Sequence, residues 1–245
     1  MKRRFRFVAA GMCLAAVVSI FVIDTHPSAS HATGGMLLVL GDSLAYGTAY
    51  PGFGNVVPKL QALGTFDNVQ VNAEFARNIS GPARTSRNGV KTYKQLIANG
   101  LRPNAVLVAL GSNDLQQSSK PAFFAAEIRE LLTLIGDVPV VWINVLRKDV
   151  SYYPQRSAMF NRVLLRIAAE FPNVQVVDWA TALAAHPNWF AFDKLHLQPR
   201  GYRELAKVYV QSAQSLWATL NPPVTVPDTT VPETTAPETT TTVAG

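Results

Sequence analysis

From residue 36 to residue 220 the sequence alternates short, unbroken apolar runs with longer segments whose apolar residues recur every three or four positions. The runs Met36–Leu40, Val69–Ala73, Ala105–Leu110, Val138–Val145 and Val174–Val177 are too short for buried helices. They are rich in valine and leucine, as strands covered on both faces are. Between them, Phe124, Ile128, Leu131, Leu132 and Ile135 share a helical stripe, as do Phe160, Val163, Leu164, Ile167 and Phe171. A last stripe follows Pro199 and takes in Tyr202, Leu205, Tyr209, Ala213, Leu216 and Leu220. Such alternation builds parallel βαβ units, because joining two parallel strands requires a crossover long enough to hold a helix. The expected fold is therefore α/β, a three-layer αβα sandwich around a five-stranded parallel sheet.

Both ends of the chain break this pattern. Lys2, Arg3, Arg4 and Arg6 precede an apolar run from Phe7 to Ile23 and then a polar stretch of small residues. Residues 1–32 thus read as a secretory signal peptide cleaved after Ala32, and the protein as secreted or associated with the cell envelope. An uncleaved membrane anchor is the competing reading, since the run lies at the lower limit for spanning a bilayer. Residues 222–245 carry the near-repeat Val226-Pro-Asp-Thr-Thr, Val231-Pro-Glu-Thr-Thr, Ala236-Pro-Glu-Thr-Thr. They hold too little apolar surface to offset their ordering entropy, so a disordered Pro/Thr-rich tail is expected. One domain, 33–221, remains.

Composition sharpens that division. The only cysteine, Cys13, lies in the leader, which leaves the domain without a disulfide or a thiolate metal site. The leader has four basic residues and one acidic, and the tail three acidic and none basic, so the two cancel and the domain holds the whole net charge of +6. That balance permits association with anionic cell-wall polymers. No basic helix, zinc-finger spacing or basic-aromatic stripe points to nucleic acid. Nothing in the sequence bears on oligomeric state.

In open parallel sheets the functional residues gather beyond the carboxyl ends of the strands. Gly41-Asp42-Ser43-Leu44 follows the first strand, Gly111-Ser112-Asn113-Asp114 the third, and Asp193-Lys194-Leu195-His196 stands before the last helix. Acyl transfer needs a nucleophile, a base, an orienter for the base and donors for an oxyanion, and these clusters contain all four. Ser43 can attack a carbonyl if a histidine takes its proton. His26 and His31 lie in the leader, which leaves His186 and His196. Asp193, three residues before His196, is placed to hold that ring's second nitrogen, whereas His186 has no acidic neighbour at that spacing and reads as a loop or helix-end residue. The G-x-S-x-G elbow of α/β-hydrolases is absent.

These three blocks, in this order and at these strand ends, resemble the SGNH or GDSL-type esterases and lipases, and the match covers most of 36–215. The resemblance implies a flavodoxin-like SGNH hydrolase fold and a catalytic triad of Ser43, Asp193 and His196, working without a metal or organic cofactor. It further implies an oxyanion hole formed by the Ser43 backbone N–H, the Asn113 side chain and a glycine of the loop after the second strand. Gly81 is the first choice for that glycine and Ala76 the alternative under another alignment. The expected activity is hydrolysis of acyl esters through an acyl-enzyme, with deacylation of cell-envelope glycans or glycolipids as a narrower reading. O-acyl transfer by the same triad and a catalytically silent carbohydrate-binding protein are the alternatives.

Several neighbours invite a role. Lys194 stands where the family often has glycine, and reads as a solvated loop lysine before a pocket-mouth residue. Arg77, Arg84 and Arg87 read as hydrated surface before a substrate clamp. Asp42 and Asp114 are expected to shape their loops. Trp142, Trp179 and Trp189 are expected in the core before a substrate pocket.

Overall fold

The computed structural model describes residues 35–222, so the expected leader, and the expected tail beyond Pro222, lie outside the described residues. Strands β1 (Met36–Gly41), β2 (Asn68–Ala73), β3 (Ala105–Ala109), β4 (Val140–Ile143) and β5 (Val174–Val177) form one parallel sheet in the order β2-β1-β3-β4-β5. Seven α-helices are described: α1 (Ser43–Ala49), α2 (Val56–Gln61), α3 (Gly89–Ala98), α4 (Pro121–Ile135), α5 (Tyr153–Ala168), α6 (Trp179–Ala185) and α7 (Pro199–Leu220).

Side-chain alternation along the strands divides the core in two. Leu38, Leu40, Val106, Val108, Val140 and Trp142 join Phe124 and Ile128 of α4 and Phe160 and Leu164 of α5 in one cluster. Leu37, Val39, Leu107, Val141 and Ile143 join Leu60 of α2 and Leu205 and Tyr209 of α7 in the other. The central strands are apolar on both faces, which is why they read as continuous runs and not as alternating patterns. The expected three-layer sandwich is the observed fold.

The winding reverses between β1 and β3, since β1 leads outward to β2 while β3 leads to β4 and β5 on the other side. A crevice opens at such a switch point beyond the carboxyl ends of the two strands. Glycines shape both lips. A Cβ on Gly41 would come within 2.2 Å of the Ala45 methyl, so its absence lets α1 start directly after β1. Gly111, after β3, has φ +127 and would drive a Cβ to 2.4 Å from the Phe160 ring.

β1 ends one residue later and β2 starts one residue earlier than expected, β3 stops one residue short of the expected 105–110, and β4 covers only the middle of the expected 138–145. The β3–β4 register covers only Val106–Val108, and past Ile143 a side chain takes over from a neighbouring strand: Asn161 accepts from the Val145 N–H at 3.1 Å and donates to its carbonyl at 2.9 Å. The tryptophans are core residues, as expected. Trp142 donates to the Leu110 carbonyl at 3.0 Å, and Trp179 stacks on Trp189 with centroids 5.7 Å apart.

Candidate active site

Ser43 is the first residue of α1, a place set by its neighbour: the Asp42 side chain accepts from the Leu44 N–H at 2.9 Å and caps the helix. Burial pushes the Asp42 carboxyl up to about 6, although the Leu44 hydrogen bond opposes it. His196 arrives from a tight loop before α7, in which Ala191 N–H donates to the His196 carbonyl at 2.8 Å and Lys194 N–H to the Ala191 carbonyl at 3.0 Å. Lys194 has φ +56, the left-handed conformation that favours glycine. The resulting turn brings Asp193 Oδ2 to 2.6 Å from His196 Nδ1 and puts His196 Nε2 2.9 Å from Ser43 Oγ. Because a carboxylate can only accept, Nδ1 carries the proton and Nε2 is left to accept the serine hydroxyl.

Burial would raise the Asp193 carboxyl, but hydrogen bonds from the His196 ring and from the Leu195 and His196 amides outweigh it and hold it below the usual carboxylate range. Asp193 thus remains an anion beside the ring. The other candidate histidine, His186, closes α6, with Nδ1 2.9 Å from the Ala182 carbonyl and its ring stacked on Trp189 at 4.0 Å.

Asn113 reaches the same crevice from β3. Its amide donates to the Arg77 carbonyl at 3.0 Å and, over a longer 3.3 Å, to Asp42 Oδ2. The segment 74–77 therefore lies against both lips, and the Glu74 N–H donates to the Gly41 carbonyl at 3.3 Å. Ala76 in this segment has φ +53 and is exposed. The Gly81 carbonyl accepts from Asn88 at 2.7 Å, and a Cβ there would face Gln117 at 3.5 Å and Glu127 at 3.6 Å.

Arg77 corrects the expectation of a hydrated surface residue. It is 2% exposed and acts as a strut, donating to the carbonyls of Gly41 (3.0 Å), Asn72 (2.7 Å) and Ser86 (2.8 Å) and to Asn72 Oδ1 (2.9 Å). A planar guanidinium with five N–H donors can tie three segments together in this way. Burial lowers it to about 10, still well above neutrality. Arg84 and Arg87 are exposed, as expected.

Glu127 on α4 escaped the sequence reading, although it offered a signal: it falls on the apolar stripe with Phe124, Ile128 and Leu131. Its carboxyl meets that of the fully buried Asp114, whose Oδ1 accepts from the Ile79 N–H at 2.9 Å. Among the described residues Asp114 Oδ2 and Glu127 Oε2 are both buried without a hydrogen-bond partner, and a proton shared between the two carboxyls would satisfy both. Burial first, then the negative charge of Asp114, pushes Glu127 up to about 9. A carboxyl raised on folding stabilises most below its unfolded value and loses that contribution as pH rises through the folded one. Wild-type stability should therefore decline between about pH 5 and pH 9. Glu127→Gln, which donates an N–H permanently, should flatten the decline when urea midpoints are compared at those two pH values.

The chain that carries this arrangement is similar to known proteins. The profile of the GDSL-like Lipase/Acylhydrolase family matches residues 39–204, from β1 into α7. The chain belongs to this family. Within it, the chain is 28% identical over 178 residues to the O-acetyltransferase OatA of Staphylococcus aureus (strain NCTC 8325 / PS 47), a match covering 73% of this chain and 25% of OatA. The chain thus spans about a quarter of that relative's length. It is also 28% identical over 201 residues to an arylesterase of Vibrio mimicus, covering 81% of this chain and 96% of the arylesterase. Among solved structures, the C-terminal catalytic domain of peptidoglycan O-acetyltransferase A from Streptococcus pneumoniae superposes with a TM-score of 0.52 at 17% identity, covering 75% of this chain and 96% of that domain. At that identity the likeness shows the shared fold.

Proposed function

We propose that the protein is an exported serine esterase that cleaves acyl esters, with cell-envelope glycans as the substrate class. The observation that carries this reading is the continuous hydrogen-bonded line from Ser43 through His196 to Asp193, at 2.9 and 2.6 Å. Ser43 Oγ attacks the ester carbonyl carbon while its proton passes to His196 Nε2. As the tetrahedral adduct collapses, His196 returns that proton to the departing alkoxide and an acyl-Ser43 ester remains. Water then attacks the acyl carbon by the same proton route, releasing the carboxylic acid and free serine.

The oxyanion would be met by three donors. One is the Ser43 N–H, left free at the first position of α1. Asn113 supplies the second by giving up its long contact to Asp42. For the third, Ala76 replaces the first-choice Gly81, because it sits in the segment on which the Asn113 amide rests, whereas Gly81 faces Gln117 and Glu127. Asn113→Ala should lower kcat by about 100- to 1,000-fold. A thermal melt should move far less, because the lost side chain contributes only two neutral-donor hydrogen bonds.

Similarity to OatA favours a second reading, in which a sugar hydroxyl instead of water takes the acyl group from Ser43. Incubation with a fluorophosphonate, followed by peptide mapping, tests the shared step: the adduct should sit on Ser43. Product analysis with an aryl acetate, with and without an added glycan acceptor, then separates free acetate from acetylated glycan. No adduct and no cleavage of short acyl esters would leave a carbohydrate-binding protein instead.

A further inference from the structure

Beside the Asp193–His196 loop lies an open cleft of about 870 Å³, lined among others by Lys148, Asp149, Phe190, Phe192, Asp193 and Lys194. Its two walls are joined, because the Lys148 N–H donates to the Lys194 carbonyl at 3.1 Å. A second tie runs toward the crevice: the buried Arg147 donates to the Ser112 carbonyl at 2.9 Å, next to Asn113. The cleft is thus part of the same rigid surround as Ser43.

Its charges do not cancel. Asp149 is held in a fork by Arg147, with contacts of 2.9 and 2.5 Å, and Asp193, bonded to the His196 ring, remains the one unpaired anion among the described cleft residues, against two lysines. Among the described residues neither Lys148 nor Lys194 has a carboxylate partner. Lys148 Nζ instead stands 5.7 Å from the centre of the Phe190 ring, within range of a cation–π contact. Lys194 is exposed and keeps a side chain at φ +56, where glycine would carry no strain. Phe192 is fully exposed, a bare ring at the cleft edge. Two ammonium groups against the single free anion of Asp193, beside the bare Phe192 ring, suit a ligand with both negative charge and an apolar face.

Chemistry says which part of the substrate goes there. The histidine returns its proton to the leaving oxygen, so the alcohol side of the ester lies toward the loop that carries His196. We infer that the Lys148–Lys194 cleft holds the alcohol portion of the ester and selects an anionic glycan, with a sugar C–H face against the exposed Phe192 and a carboxylate or phosphate between the two lysines. This goes a step past the esterase reading and rests on it for the direction of the leaving group. Lys194, expected as a solvated loop residue, becomes a specificity residue.

The test uses the full chain and matched oligomers: an O-acetylated oligouronate, an O-acetylated polyol-phosphate oligomer and an O-acetylated neutral oligosaccharide of equal length. The kcat/KM ratio of an anionic over the neutral ester should be about tenfold at low salt, the scale that two solvent-facing charge contacts supply, and should shrink as salt is raised. Lys148→Ala with Lys194→Gly should bring the ratio close to one. Lys207→Ala, which removes an exposed α7 lysine paired with Glu204, should leave it unchanged. Preference for the uronate alone identifies a carboxylate, for the polyol phosphate alone a phosphate, and for both a site that reads charge. Equal rates on all three esters, or a preference that survives the double substitution, would overturn the inference. Calorimetric binding of the same oligomers without their acetyl groups gives a readout independent of turnover. Anionic binding lost in the double variant, together with no cleavage of any ester, would keep the cleft and remove the esterase reading; binding no tighter than that of the neutral oligomer would remove the cleft.

Discussion

Ser43→Ala is expected to lower kcat for acyl-ester hydrolysis on the order of 10⁶-fold, as loss of the nucleophile does in enzymes whose serine, base and orienter act as a unit. The effect should be confined to chemistry. Ser43 Oγ makes one side-chain hydrogen bond, to His196 Nε2, and Asp42, not Ser43, caps the helix. Alanine is also the residue that a helix accepts most readily. Circular dichroism and the melting temperature should therefore match wild type while fluorophosphonate labelling disappears. Turnover within tenfold of wild type would mean that another group attacks the ester.

The second large effect is a contrast between two histidines. His196→Ala should cost about as much as loss of the serine, because an unassisted hydroxyl is a poor nucleophile near neutral pH and the leaving oxygen would have no acid. His186→Ala should leave kcat within about twofold, since its ring is engaged with the Ala182 carbonyl and the face of Trp189. It should instead lower the melting temperature, through loss of that stack at the end of α6. Steady-state rates for both variants on one aryl acetate decide the matter. A collapse with His186→Ala and survival with His196→Ala would reverse the assignment of the base.

Much of this architecture could be read because local and global signals agree. Val174–Val177 matches β5 residue for residue, as expected of a run bounded by Asn173 and Asp178. The ends of β3 and β4 were less legible, since a strand stops where its neighbours stop and Asn161 takes over at Val145. Helices α1, α2 and α6, at six or seven residues, are too short to display a period.

The site divides in the same way. Ser43, Asp193 and His196 lie in short blocks whose residue types announce their chemistry, and the structure brings the three side chains together. Arg77 was misread because the burial of a guanidinium depends on three carbonyls contributed by distant segments, which no spacing reveals. The donor proposed at Ala76 carries no chemical signature, since any backbone N–H would serve and only its φ of +53 marks it. The charge of the Lys148 cleft was hidden for a related reason: whether a lysine is compensated depends on which carboxylates the fold has already engaged.

Ser43 and His196 are 153 positions apart, one just after the first strand and the other just before the last helix. Nearly the entire domain must be laid down before the two can meet, and the contact closes a long loop of chain. With the roles proposed above, a nascent or partly folded chain would hold Ser43 without His196 as its base, and is expected to be inert toward esters. Reactivity of Ser43 toward a fluorophosphonate should then report, by a covalent mark, when the loop before the final helix has docked.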